Sequence, residues 1–280
     1  MKILLHSFTF RDYEIEHAIA KGKAFGYEGI ELFPSHYESG GLERVKQIIE
    51  LGTANNLPVE TVDFEAELLD RESQQESVNE VRALLAVLKD TGVKRINGGV
   101  GSVVGADPTK YGENGSAIAT PEMYKNASEG LREICAAAED FGIEVVLEIH
   151  MNTIHDSVAS YLRLHELTDS GNLGANFDAG NMYAVAHAEE ANAGLTACKD
   201  VLRYVHLKNC VKIAGEFSFT TGLRGGDINH DKLCRTLRRI GYDGDICIEY
   251  CGEGDPHPRA QDDRAYWSDL WREISGKSAG

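Results

Sequence analysis

Four residues with metal-binding side chains close four apolar runs: Glu148 in VVLEIH (145–150), Asp178 in ANFDAG (175–180), His206 in YVHLKN (204–209) and Glu249 in DICIEY (245–250). Three carboxylates and an imidazole suit a hard or borderline divalent cation, Mn²⁺ foremost, with Mg²⁺ or Co²⁺ as alternatives, better than a structural zinc. A cation that chelates a carbonyl and the neighbouring hydroxyl eases loss of the proton between them. A base within hydrogen-bond reach must take that proton. A second base on the opposite face gives epimerisation; an acid beside a leaving group gives elimination. Each ligand has a plainer reading. Glu148 and Glu249 could form buried ion pairs, Asp178 could cap a helix, and His206 could be a satisfied core histidine.

Strand alternation adds further candidates. In VVLEIH, Val145, Leu147 and Ile149 share one face, so Glu148 and His150 point together to the other. His150 is therefore a candidate base or substrate contact. Lys208 shares a face with His206, and Cys247 with Glu249. A charge inside an apolar strand is costly unless paired or metal-bound. Lys208 is expected to polarise a substrate oxygen or to pair with a metal carboxylate. Glu31, inward on an early strand, is expected to orient a ligand. His6 has the parity to face the same mouth, and Asn97 with Gly98 and Gly99 could line a sugar site. His155, His187, His230 and His257 read as surface histidines.

Residues far apart in sequence converge in this way at one mouth of a closed α/β barrel. Apolar strand signals fall near 2–8, 28–33, 59–64, 94–99, 144–150, 174–178, 203–208 and 245–250. Amphipathic helices read near 13–25, 41–55, 73–91, 121–141, 157–169, 192–200, 229–240 and 262–274. The alternation predicts a parallel (β/α)8 TIM barrel occupying residues 1–280 as one domain. Glycines 26, 92, 142 and 241 follow helices, where a left-handed residue ends them. Three long loops, 100–120, 210–228 and 251–261, follow strands and so border the reactive mouth; the second reads as a β-hairpin.

The 280-residue length fits one barrel, and 42% hydrophobic with 26% charged residues is ordinary for a globular domain. A net charge of −17 opposes binding to nucleic acid or an anionic membrane. No run approaches the roughly 20 apolar residues of a membrane span. The N-terminal MKILLHSFTFRD lacks a secretory apolar region, so a cytoplasmic location is expected. The six cysteines have no C-x-x-C spacing and are expected to be reduced thiols. A G-x-G-x-x-G nucleotide fingerprint is absent. Tyr266, Trp267, Leu270 and Trp271 lie close together in AYWSDLWREI, with one face for the barrel and the rest a candidate interface.

The strings GYEGIEL, VVLEIH, NFDAGN, YVHLKN and LRGGDIN, followed by GYDGDICIEY, resemble the xylose-isomerase-like barrel superfamily, in particular its sugar isomerase/epimerase branch. The resemblance runs from HSFTF to IEYCG. It implies one divalent metal on Glu148, Asp178, His206 and Glu249, with the two glutamates facing each other across a carbohydrate substrate. It implies that Arg224 in LRGGDIN contacts substrate or ligand carboxylates, and it implies a homo-oligomer. The chain departs from the epimerase pattern at Asn181, where many members place a histidine in D-x-G-H, and at His150. Histidine at the latter place occurs in carbohydrate lyases and dehydratases, including the α-subunits of C-glycoside deglycosidases, which act with a small partner chain. The expected activity is isomerisation or epimerisation of a keto sugar. The alternative is a lyase acting on a 3-keto sugar or glycoside, with His150 as base. The charge argues against a DNA-cleaving relative, and the intact ligand set against a non-catalytic sugar-binding module.

Overall fold

The computed structural model describes residues 1–276. Eight parallel strands close on themselves: β1 (Ile3–His6), β2 (Gly29–Leu32), β3 (Val59–Phe64), β4 (Arg95–Gly98), β5 (Glu144–Glu148), β6 (Leu173–Asp178), β7 (Leu202–Leu207) and β10 (Ile246–Ile248), with β1 pairing both β2 and β10. Between β7 and β10, β8 (Val211–Ile213) and β9 (Glu216–Ser218) form the expected hairpin. The helices are α1 (Ile15–Ala24), α2 (Gly41–Ala54), α3 (Arg71–Leu88), α4 (Pro121–Glu139), α5 (Val158–Thr168), α6 (Ala179–Ala184), α7 (Ala191–Ala197), α8 (His230–Arg239) and α9 (Pro256–Ile274). The architecture is a single (β/α)8 TIM barrel.

Two faces of each strand explain the packing. Val145, Leu147 and Ile149 point outward into the layer beneath the helices, whereas Val146 points inward onto Leu4, Tyr204 and Cys247. Each fully buried aliphatic side chain stabilises the fold by roughly 1.5–3 kcal/mol. Asn229 caps α8 by accepting from Lys232 N, and Thr120 caps α4 with Pro121 following it. Gly26, Gly142 and Gly241 take left-handed φ values of +83°, +67° and +76° after α1, α4 and α8, as their positions predict. After α3 the left-handed turn begins earlier, at Asp90 with φ +63°, and Gly92 only continues it.

Two expectations change. A short helix, α6, follows β6 directly because Asp178 caps it. Helix α9 begins at Pro256, six residues before the sequence signal, because proline fits the first turn and Asp255 caps it. The aromatic residues of α9 divide between barrel and surface, with Tyr266 and Trp271 half-buried. Trp267 is fully buried, Trp271 stacks on it at 6.2 Å, and Arg238 and Arg224 cover Trp271 and Tyr266. All six cysteines are free thiols, five of them buried. Among the described residues no helix is long and apolar enough to cross a membrane.

Candidate metal centre and active-site cleft

Register brings the four proposed ligands together. Asp178 pairs with His206 across β6 and β7, and His206 pairs with Cys247, two residues before Glu249. Glu148 ends β5 beside Asn176. One ligand atom from each of Glu148, Asp178, His206 and Glu249 lies within 4.8 Å of the others. Asp178 proves to be a helix cap as well. Its Oδ1 accepts from Asn181 N at 2.9 Å, while Oδ2 makes no hydrogen bond. His206 Nδ1 and Glu249 Oε2 are likewise buried, and the three atoms meet charged neighbours in place of hydrogen-bond partners: Lys208 beside the two carboxylate oxygens and Glu148 beside the imidazole. Ligand atoms converging from separate strands fit a dication, and an O, O, N, O set suits a hard or borderline one.

Lys208 supplies the one lysine charge among these carboxylates. Its Nζ lies 2.5 Å from Glu249 Oε2, 3.3 Å from Asp178 Oδ2 and 3.6 Å from Glu148 Oε1. Burial raises the Asp178 carboxyl to about 7, aided by Glu148 and Glu249 and opposed by Lys208 and His206. Burial acts the same way on Glu148, but Lys208 and His206 outweigh it and hold that carboxyl well below the usual range.

Beneath the ligands lies a polar layer that the sequence partly revealed. Glu31 accepts from His206 Nε2 at 2.9 Å, from Tyr204 Oη at 2.6 Å and from Asn97 Nδ2 at 2.9 Å. With Nε2 donating to Glu31, Nδ1 of His206 faces the carboxylates, 3.3 Å from Glu148 Oε1, the usual orientation behind a metal-binding histidine. Glu31 therefore sits under His206 as an orienting partner and not at a substrate surface. Asn97 also bonds Asp63 at 3.2 Å and Asn176 at 3.0 Å, so its amide is committed to the wall. His6 Nε2 lies 3.1 Å from Asp63, and its Nδ1 accepts from Phe8 N at 3.2 Å. Burial alone would lower His6, but Glu249, Asp63 and Glu31 overcome it and raise it to about 9. Both nitrogens are thus engaged beside Glu249. Arg224 is exposed and stacks on Tyr266 at 4.4 Å, so its guanidinium makes no contact with the cluster carboxylates here.

Asp63 and Asn176 were not singled out, and Asn181 was noted only as a departure from the epimerase pattern, yet all three contribute. Asn181 Nδ2 donates to Glu148 Oε1 at 2.8 Å. Parity could have revealed Asp63 and Asn176, which share inward faces with Thr61 and Asp178. His155 and His230, read as surface residues, are fully buried; burial lowers each to about 4.

A cleft of about 280 Å³ opens beside the cluster, lined in part by Phe33, Asp63, Asn97, Glu148, His150 and His155. His150, half-buried just beyond β5, holds its Nδ1 2.8 Å from Met151 O. A carbonyl can only accept, so Nδ1 carries the proton and Nε2 keeps a basic lone pair. The arrangement offers an imidazole base beside a carboxylate-rich cation site.

The family model for the xylose isomerase-like TIM barrel matches residues 19–270. The chain belongs to that family. An inosose dehydratase of Clostridium perfringens is 28% identical over 157 residues, covering 51% of this chain and 52% of its own, so the chain spans about half that relative's length. The structure of L-ribulose 3-epimerase superposes with a TM-score of 0.78 at 18% identity, covering 99% of this chain and 96% of that one. A xylose isomerase-like TIM barrel protein from Mycobacterium smegmatis, solved with magnesium, gives 0.78 at 15% identity, covering 98% and 97%. The chain is thus an enzyme-family barrel with epimerase and dehydratase relatives.

Proposed function

We propose that this chain is a divalent-metal-dependent lyase that removes a proton beside the carbonyl of a keto sugar or keto polyol and expels an oxygen substituent. The observation that carries this reading is the His150 imidazole in the cleft beside Glu148, its Nδ1 held by Met151 O. Glu148, Asp178, His206 and Glu249 would hold the cation, with Mn²⁺ the expected ion and Mg²⁺ or Co²⁺ acceptable. When bound, it supplies Lewis-acid polarisation of the carbonyl and its neighbouring hydroxyl. His150 Nε2 takes the proton, the C–H electron pair becomes the C=C bond, and the β C–O bond breaks. The imidazolium returns its proton to the departing oxygen, releasing water or an alcohol. Glu31 fixes the His206 ring, and Asn181 fixes the Glu148 carboxylate without offering a second titrating group. The inosose dehydratase relative supports the same reading.

His150→Ala is expected to lower turnover of a keto polyol by roughly 10²–10⁴, the usual worth of a positioned base. Bound manganese should stay near one per chain. The assay is appearance of the unsaturated ketone with release of water or alcohol. A second reading, epimerisation or isomerisation, is favoured by Glu148 and Glu249 both reaching the cluster. It expects solvent deuterium at one carbon, no expelled group and a mild effect of His150→Ala. Substrate and metal aside, a homo-oligomer, a small partner chain and a cytoplasmic setting remain parts of the proposal that light scattering, copurification and fractionation would test.

A further inference from the structure

His150 stands on a turn with an uncommon backbone. Thr153 N donates to His150 O at 3.3 Å, and the Thr153 hydroxyl donates to the same oxygen at 2.7 Å, closing a β-turn over residues 150–153. Of its two central residues only Asn152 is left-handed, with φ +63°, which is the type II pattern. Few residues other than glycine take that conformation, and asparagine tolerates it better than most.

The handedness has a chemical consequence. Turns of types I and II differ by a flip of the central peptide, here the one joining Met151 to Asn152. That peptide carries Met151 O, which holds His150 Nδ1 at 2.8 Å. A carbonyl only accepts, so the Nδ1 proton is committed to it, and proton exchange with a substrate falls to Nε2. With Asn152 right-handed, the same carbonyl would turn to the opposite face of the turn, away from the ring. The φ of Asn152 thus decides which imidazole nitrogen serves the cleft.

The loop after β4 holds that φ in place. Val103 N donates to Asn152 O at 2.7 Å, Asn152 Nδ2 donates to Pro108 O at 3.0 Å, and Ser102 forms an antiparallel bridge with Thr153. Gly115 of the same loop, at φ +59°, packs so closely that a Cβ there would meet Thr153 O at 2.6 Å. The turn is gripped from outside at both its third and fourth residues.

Resting on the lyase reading above, we propose that Asn152 is a positioning residue for the His150 base. Its left-handed backbone, clamped by the loop after β4, aims Met151 O at Nδ1 and so fixes both the ring and its tautomer.

The test is a graded series at this one position. Asn152→Gly keeps the left-handed conformation without steric cost, Asn152→Ala opposes it mildly, and Asn152→Val opposes it most, because a β-branched residue there is an outlier. The probe is the ¹⁵N spectrum of the histidine-labelled, magnesium-loaded, full-length protein, with His150→Gln to assign the ring. Wild type and Asn152→Gly should show His150 as one tautomer, protonated at Nδ1, whereas Asn152→Ala and Asn152→Val should show a mixture. With inosose as substrate, kcat should fall by about 10–100-fold from the glycine to the valine variant, while KM and magnesium affinity stay within about twofold. Asn152→Ala carries the result should the valine chain fail to fold. A His150 tautomer unchanged in Asn152→Ala would overturn the proposal. So would an Asn152→Gly enzyme as slow as Asn152→Val, which would assign the effect to the asparagine side chain. No water released from inosose, or a His150→Ala enzyme as fast as wild type, would instead overturn the lyase reading, with the spectra still deciding the role of Asn152.

Discussion

The two ends of this barrel bury similar residues for opposite purposes. At the N-terminal end, Lys2, Lys94 and Arg95 face Glu60, Asp245 and Glu144, and every charge lies within 3.6 Å of an opposite one. Arg95 also stacks on the Tyr204 ring at 4.7 Å, sealing the interior. At the C-terminal end, Glu31, Asp63, Glu148, Asp178 and Glu249 share Lys208, His6 and His206. The first end balances its charges and plugs the barrel. The second keeps an excess of buried carboxylate over cationic side chains, a cost that persists where a ligand repays it. Active sites of such barrels sit at the second end.

The largest effect should come from removing one of those excess charges. Asp178→Asn is expected to weaken manganese binding by at least about 100-fold, read by calorimetry, and to lower turnover by on the order of 10³, because it deletes a charged ligand atom. The same change should stabilise the chelator-treated protein. Burial, with Glu148 and Glu249, makes the ionised Asp178 unfavourable in the fold. A rise in Tm of about 2 °C, near 1 kcal/mol in a chain of this size, is the expected sign. A lower Tm after chelation would mean that this end is built for stability like the other, and the contrast would fail.

Next in size is the partner beneath the site. Glu31→Gln keeps the shape but weakens acceptance from His206 and Tyr204. Manganese affinity should fall by about 10–100-fold, the usual cost of losing a partner behind a ligand. Fold and Tm should change less than with Asp178→Asn. No change in metal affinity would show that the His206 ring is held by packing alone.

How far the sequence foretold this contrast depends on the kind of evidence each residue leaves in the chain. The convergence of Glu148, Asp178, His206 and Glu249 was readable because an isolated polar ligand type at the end of an apolar strand breaks alternation, and period 2 fixes which face it occupies. Glu31 was readable for the same reason. Where Arg224 points was not legible, because a loop has no periodicity to fix the direction of a side chain. His155 was misread because it lies in a loop with no period to follow; His230 was misread although it heads the buried stripe of α8 with Leu233, Cys234 and Leu237, where Trp267 covers it. The charge balance at the N-terminal end was missed because it joins residues as far apart as Lys2 and Asp245.

A pH titration of stability sharpens the comparison from a third place, between barrel and helices. His230 is buried against Trp267 and held near 4, below its ordinary 6.5, by burial. Between those values the unfolded chain takes up a proton that the folded chain refuses. Its contribution is therefore fully present above pH 6.5 and is lost as pH falls toward 4, a span worth roughly 3 kcal/mol. Asp263, raised to about 6 by burial, works in the opposite sense: its cost grows as pH rises through that value. His230→Gln should flatten the fall in denaturant midpoint between pH 6.5 and 4. A slope equal to the wild type's would assign acid sensitivity to other groups.

The smallest effect should come from the balanced end. Lys94 has a side chain 44% exposed and pairs with Glu60 at 2.9 Å and Asp245 at 3.5 Å. Lys94→Ala leaves Glu60 still facing Lys2, and Asp245 still facing Arg95 and accepting from Lys2 N at 2.7 Å. Partly exposed pairs are worth about 0–1 kcal/mol, so Tm should fall by no more than about 2 °C. High salt should erase most of that difference, since these charges are open to screening. Manganese affinity and kcat should match the wild type, because the apolar layer of Leu4, Val146 and Cys247 lies between the two ends. A loss of several kcal/mol, or any change in kcat, would show the charges at the two ends to be coupled through that layer. The N-terminal plug would then be part of the catalytic apparatus and not its foundation.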